Sequence, residues 1–182
     1  MKILKTILII LSVIIVVFTL FSWYIGLFTK VEVEEKVEGG YTVVGKEFVG
    51  QYAKAGKFMK DVDNELTELG ITSTKGFGIY YDNPRTVAPE KCRSFVGNIL
   101  EEKDYGRIDE LQSKGFKVDT IPTTTSVIAY FPIKSDMSYM IGPIKVYPEL
   151  SKYISDNGYK VTSSIEIYDV PNKKILYIMQ YK

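Results

Sequence analysis

Ile79-Tyr80-Tyr81-Asp82-Asn83-Pro84 returns as Ile167-Tyr168-Asp169-Val170-Pro171, with Asp82 and Asp169 87 positions apart. A second pair agrees. The helix stop Leu69-Gly70-Ile71 returns as Asn157-Gly158-Tyr159, with the two glycines 88 positions apart. Two punctuation marks at nearly one offset indicate a duplicated unit rather than a coincidence of turns. Two copies are too few for a solenoid. A duplicated α+β unit pairs with its copy about a pseudo-twofold axis, and the seam between copies is a natural place for a ligand.

Around these anchors the hydrophobic spacing gives the elements. Tyr41 to Val49 is rich in β-branched and aromatic residues and reads as a strand. Tyr52, Ala55, Phe58, Met59, Val62, Leu66 and Leu69 recur at steps of three and four, one apolar helix face stopped by Gly70. Phe77 to Asp82 and Arg93 to Leu100 read as strands, so the first unit is strand-helix-strand-strand. Residues 101–120 are charged and form a crossover, in which Asp109 to Lys114 is long enough for one or two helical turns. The second unit runs from the strand Ser126 to Phe131, through a helix broken at Gly142-Pro143, to the strands Ser163 to Asp169 and Lys174 to Tyr181. Pro148 fits the first turn of the later half of that helix. The fold class is α+β: two such units, mainly antiparallel sheet, helices on one side and an open groove on the other.

An apolar segment precedes this domain. Residues 6–29 carry no charge. A hydrocarbon core ~30 Å thick needs roughly 20 apolar residues as helix, so the run is long enough to span it. Trp23 and Tyr24 stand near its end, at the level that amphipathic rings prefer. A cleaved signal peptide would be shorter and end in small residues, unlike Phe21-Ser22-Trp23-Tyr24. The segments are therefore a flank (1–5), a single-pass transmembrane anchor (6–29), a charged tether (30–40) and the folded domain (41–182). Lys2 and Lys5 before the anchor, against Lys30 after it, lean towards an inside N-terminus and a domain on the translocated side.

Composition excludes several chemistries. Three of the 23 basic residues and none of the 22 acidic ones lie in residues 1–30, which leaves the remainder at a net charge of −2. Nothing there attracts nucleic acid. With no histidine, Ser-His-Asp and Cys-His nucleophile systems are absent, as are most zinc sites. No metal and no cofactor is implied. Cys92 is the single cysteine, so no intrachain disulfide forms, and without an activating base it reads as a small buried residue. Gly76 and Gly78 do not form a phosphate loop, because no helix follows them.

Glu166 is the side chain with the most to offer. Alternate residues of a strand share a face. Ile165 and Ile167 are expected on the helix-covered face. Ser164, Glu166 and Tyr168 are expected on the other, lining the groove. In the copy, Ile79 and Tyr81 take the places of Glu166 and Tyr168. A carboxylate beside tyrosine rings suits a cation, through charge pairing and cation–π attraction. A polar residue on a solvated sheet face gives the same pattern. Tyr80, Tyr130, Tyr147 and Tyr153 read as packing residues. Arg93 either steadies Asp82 or lies on the surface.

These blocks resemble the GyrI-like, SOUL-related small-molecule-binding domain over roughly residues 41–182. Gly78 to Pro84, Pro89-x-Lys91-Cys92-Arg93, Val96-Gly97-x-Ile99-Leu100, Gly115-Phe116-Lys117-Val118 and Ile165-Glu166-Ile167-Tyr168 carry the resemblance, in order. It is nearest to the membrane-anchored, testis-expressed ER-phagy receptor branch. The resemblance implies a hydrophobic groove between the two units that takes a small, often cationic, molecule, with the family's acid mapped onto Glu166. The ligand-binding residues expected are Glu166, Tyr168 and Tyr81, with no catalytic residue. Two other functions are implied. One is hydrolysis of strained alkylating molecules, with Glu166 acting on a water and a tyrosine donating to the developing anion. The other is a membrane receptor or adaptor that recruits a protein partner. Receptors of that branch carry a long disordered tail with a binding motif, and this sequence stops at Lys182, so any partner is expected to meet the folded domain.

Overall fold

The computed structural model describes residues 2–182. Helix α1 (Lys2–Tyr24) leads into β1 (Val33–Glu38) and β2 (Tyr41–Val49). Then come α2 (Ala55–Glu68), β3 (Lys75–Tyr80), β4 (Arg93–Ile99), α3 (Ile108–Ser113) and β5 (Lys117–Ile121). The second half is β6 (Thr124–Pro132), α4 (Ser138–Asp156), β7 (Val161–Asp169) and β8 (Lys174–Tyr181).

All eight strands form one antiparallel, half-barrel sheet in the order β1-β6-β8-β7-β3-β4-β2-β5. Read outward from its middle, one half runs β7-β8-β6-β1 and the other β3-β4-β2-β5. The two strand-helix-strand-strand units are thus joined through β7 and β3, related by a pseudo-twofold between them. Each half of the sheet is completed by the strand that precedes the other unit in the chain: β1, just before β2, lies beside β6, and β5, just before β6, lies beside β2. The glycine stops hold as expected: Gly70 and Gly158 end α2 and α4 at φ +77° and +70°, where a Cβ would strain the backbone.

The inner face of the curled sheet packs on itself, with Val43, Phe77, Phe95, Ile128, Ile165, Ile167 and Ile178 as its core. The outer face carries the helices. Val146, Leu150 and Ile154 of α4 cover Val127, Ala129, Ile175 and Tyr177. Val62 and Leu66 of α2 cover Val44, beside Leu100, Leu111 and Phe116. The expected face assignment is therefore inverted. Ile165 and Ile167 point into the curl, and the Glu166–Tyr168 face is the one beneath the helices. The strand alternation held, but which face the helices would cover was not decided by it.

Three boundaries are corrected. Residues 30–40 are not a free tether, since Val33–Glu38 is a strand fully registered on β6. The apolar helix ends at Tyr24, and Ile25 is buried against the domain. The crossover 101–120 runs into β5 (Lys117–Ile121), a strand not expected there, after α3 has formed over the short helical stretch expected at Asp109 to Lys114. In addition, α4 is one continuous helix with Pro143 and Pro148 inside it. The prolines leave the carbonyls of Tyr139 and Ile144 without helical donors, but both residues lie on the exposed side where water can serve. Burial of Val146, Leu150 and Ile154 on the other side holds the helix together.

Candidate functional site

The middle of the sheet is paired as Gly76↔Tyr168, Gly78↔Glu166 and Tyr80↔Ser164. Gly78 and Glu166 are 88 positions apart and face each other, so the pseudo-twofold passes through this pair. The same offset relates Tyr80 to Tyr168. The sequence alignment through the aspartates was one residue out within the strands, and Tyr80, not Tyr81, is the counterpart of Tyr168.

The two glycines make room. Tyr80 lies back over Gly78, where a Cβ would come within 3.0 Å of its ring. At Gly76 a Cβ would meet Met59 of α2 and Tyr168. The Tyr80 and Tyr168 hydroxyls meet at 3.0 Å. Tyr168 donates to Glu166 Oε2 at 2.6 Å, and Tyr147 of α4 donates to Oε1 at 2.7 Å. With Glu166 ionised, the Tyr168 proton is committed to the carboxylate, so Tyr80 donates to Tyr168. The result is a chain, Tyr80 to Tyr168 to Glu166, met from above by Tyr147.

More rings enclose this centre. Tyr177, opposite Glu166 on β8, stands edge-on to Tyr147 at 5.7 Å. Tyr139 lies 5.8 Å from Tyr168, and Tyr52 packs edge-on to Tyr80 at 4.9 Å. The Tyr177 hydroxyl is buried with no hydrogen-bond partner among the described residues. It lies where a Cβ on Gly142 would reach, 2.3 Å away, so α4 approaches the sheet here only because residue 142 is glycine.

Electrostatically the site is a buried acid without a cation. Glu166 is 4% exposed, and no lysine or arginine among the described residues is ion-paired with it. Burial pushes its carboxyl above the usual range, against the opposing pull of the Tyr168 and Tyr147 hydrogen bonds. Tyr168 and Tyr147 are themselves driven well above ordinary phenols, first by burial and then by the neighbouring Glu166.

A sequence profile for the GyrI-like small molecule binding domain matches residues 31–178. The chain belongs to the GyrI-like family. The testis-expressed protein 264 homolog of Mus musculus is 34% identical over 155 residues, 81% of this chain and 48% of that protein. The chain therefore spans about half the length of this relative. Among solved structures, EcmrR in its DNA complex superposes with a TM-score of 0.61 at 19% identity, covering 84% of this chain and 57% of that one. SAV2435 bound to tetraphenylphosphonium gives 0.55 at 10% identity, covering 83% and 94%. At such identities these two likenesses concern the fold of the GyrI-like domain.

Glu166 and Tyr168, both expected as site residues, are brought together. Tyr81 is not with them: it is 44% exposed, on the opposite face beside Glu47, Lys117 and Asp119. Tyr80 and Tyr147, read as packing residues, are in the cluster. The signal for Tyr80 was the Gly76-x-Gly78 spacing, which leaves space on one sheet face only. Tyr147 is brought in by a helix docking across the sheet, which strand logic alone does not reveal. Arg93 does steady Asp82, through two guanidinium hydrogen bonds at 2.8 and 2.9 Å, and holds its carboxyl below the usual range. Cys92 is buried.

Proposed function

We propose that this GyrI-like domain binds a small lipophilic cation between α2 and α4, with Glu166 as the counter-charge and Tyr80, Tyr147 and Tyr168 as the walls. The observation that carries this is the buried, cation-free carboxylate, whose side-chain hydrogen-bond partners among the described residues are phenols. A buried charge with no counter-ion is unfavourable. A ligand cation would relieve it, and ring faces attract cations by about 0.5–2 kcal/mol each. Glu166 is covered by Tyr147, so binding requires the α4 side of the cluster to swing aside. The internal prolines of α4 weaken the helix where it would have to yield. Hydrolysis has less support, because Tyr147 covers the carboxylate and the two phenolic hydrogen bonds it accepts lower its basicity towards a water.

We further propose that α1 anchors the domain in a membrane. An 18-residue window of its span Ile3–Tyr24 is strongly apolar, with a mean hydropathy of 2.9, and none of that window is buried by the rest of the chain. The lysine balance favours the translocated side for the domain.

Tetraphenylphosphonium, the ligand named with SAV2435, is the first probe. Full-length protein in detergent should melt higher with it. At a hundred times Kd the stabilisation is about 2.7 kcal/mol. Glu166→Gln should lose most of that shift, and neutral triphenylphosphine oxide should give little in either protein. Equal shifts in parent and variant would contradict the assignment.

A further inference from the structure

We propose that the end of the domain next to α1 rests on the headgroup layer of an anionic bilayer, with Lys134, Lys173 and Lys174 towards the lipid phosphates and Val170, Met137 and Met140 towards the acyl boundary. The proposal rests on the reading of α1 as a membrane anchor and adds where the domain sits relative to that membrane.

Three observations converge on this end. First, there is no slack. Residues 25–32 separate α1 from β1. Ser22 and Ile25 are buried, and Leu27 N–H donates back to the Ser22 carbonyl. A Cβ on Gly26 would lie 3.3 Å from the Phe131 ring, so the chain leaving α1 is seated on the end of β6. The domain cannot stand off from the bilayer on a tether.

Second, charge gathers there. The Lys134 ammonium sits 5.4 Å from the ring centre of Trp23, a residue whose preferred depth is the headgroup layer. Lys134 is at the end of β6. Ile133 N–H donates to the Lys173 carbonyl, and Pro132 is paired with Lys174, so the β7–β8 turn lies alongside. None of Lys134, Lys173 and Lys174 is in an ion pair among the described residues. The acids nearby do not cancel them. Glu32 is paired with Lys30, and Asp169 is paired with Lys75 and bonded to Asn172, which leaves Asp136. Each lysine near an anionic surface adds attraction.

Third, apolar side chains are exposed at the same end. Val170, at the tip of the turn, is 54% exposed, and Met137 and Met140 at the start of α4 are 38% and 65% exposed. Ile144, 66% exposed, continues their line along the helix. Apolar groups at 137, 140 and 144 with lysines alongside are what an interfacial surface requires. Tyr139, the outermost ring of the Glu166 cluster, is in this segment, so a lipophilic ligand would reach the site from the lipid.

The test uses the full-length chain with Cys92→Ser, reconstituted in vesicles with 30% phosphatidylglycerol or with phosphatidylcholine alone. Single cysteines at Val170, Met140 and Thr86 carry a bimane label, and some of the lipid carries a nitroxide just below the headgroup. Thr86 is exposed at the far end of β3. Labels at 170 and 140 should be quenched at least twofold in the anionic vesicles, and the label at 86 should not. Changing Lys134, Lys173 and Lys174 to Glu should restore the emission while the protein still resists carbonate extraction. Labels at 170 and 140 no more quenched than at 86, in protein that resists carbonate, would overturn the docking alone. Release by carbonate would overturn the anchor reading and the docking with it. Disulfide formation between Met140→Cys copies, without quenching, would assign the patch to a second copy and overturn the proposal.

Discussion

Glu166 concentrates the account at the scale of one residue. Its folded carboxyl lies above the ordinary value, so the folded state binds more protons than the unfolded one over the interval between the two. The contribution of Glu166 to stability is then greatest below the ordinary carboxyl range and is lost as pH rises through the raised folded value. Glu166→Gln keeps the shape and can still bond Tyr147 and Tyr168, but it carries no charge. It should raise stability at neutral pH and flatten the pH dependence across that interval. Thermal melts of parent and variant from pH 4 to pH 8 check both. A variant less stable than the parent at neutral pH would mean that the carboxylate is satisfied as it stands. At this scale the strand alternation placed Glu166 and Tyr168 on one face, and the two are hydrogen-bonded there. The sequence misled on Tyr81, because the repeat was aligned through turn residues, Asp82 and Asp169, whose spacing differs by one from that of the strands. A one-residue slip moves a side chain to the other face of a sheet.

At the scale of elements, α4 determines whether the site is closed. Replacing an exposed helical glycine by alanine ordinarily stabilises by up to about 1 kcal/mol. Gly142→Ala should do the opposite, because its methyl would overlap the buried Tyr177 hydroxyl. A loss of about 1–3 kcal/mol is expected in denaturant unfolding. A stabilised variant would show that α4 can lift from Tyr177 freely. The prolines of α4 were legible as an interruption and proved to be internal, because the apolar stripe on the buried side runs through both of them. Strand β1 was not legible. Its charged, alternating sequence reads as linker, and only the open edge of β6 gives it a partner. A domain beginning at Tyr41 should therefore melt ~5–10 °C below one beginning at Thr29, since β6 loses its neighbour and Val33 its packing. Equal melting temperatures would mean that β1 adds nothing to the sheet.

At the scale of the whole molecule, the duplication explains where the proposed site lies. Two units meet at β7 and β3, and the pseudo-twofold runs through Gly78 and Glu166. One copy contributes an acid and the other the space to hold it, so the symmetry of the backbone is broken by chemistry at its own axis. The repeat, the two units and the antiparallel sheet were readable from glycine stops and aspartate turns. The exchange of β1 and β5 between halves, and the sealing of the carboxylate by α4, depend on long-range packing and were not. Glu166 is proposed as the counter-charge for a cation. Calorimetric titration of the full-length protein with tetraphenylphosphonium across pH measures it most directly. The affinity of the parent should rise as pH rises and Glu166 loses its proton, and at the upper end it should exceed that of Glu166→Gln at least tenfold, about 1.4 kcal/mol, with the variant flat throughout. Parent and variant binding equally, with no dependence on pH, would contradict it.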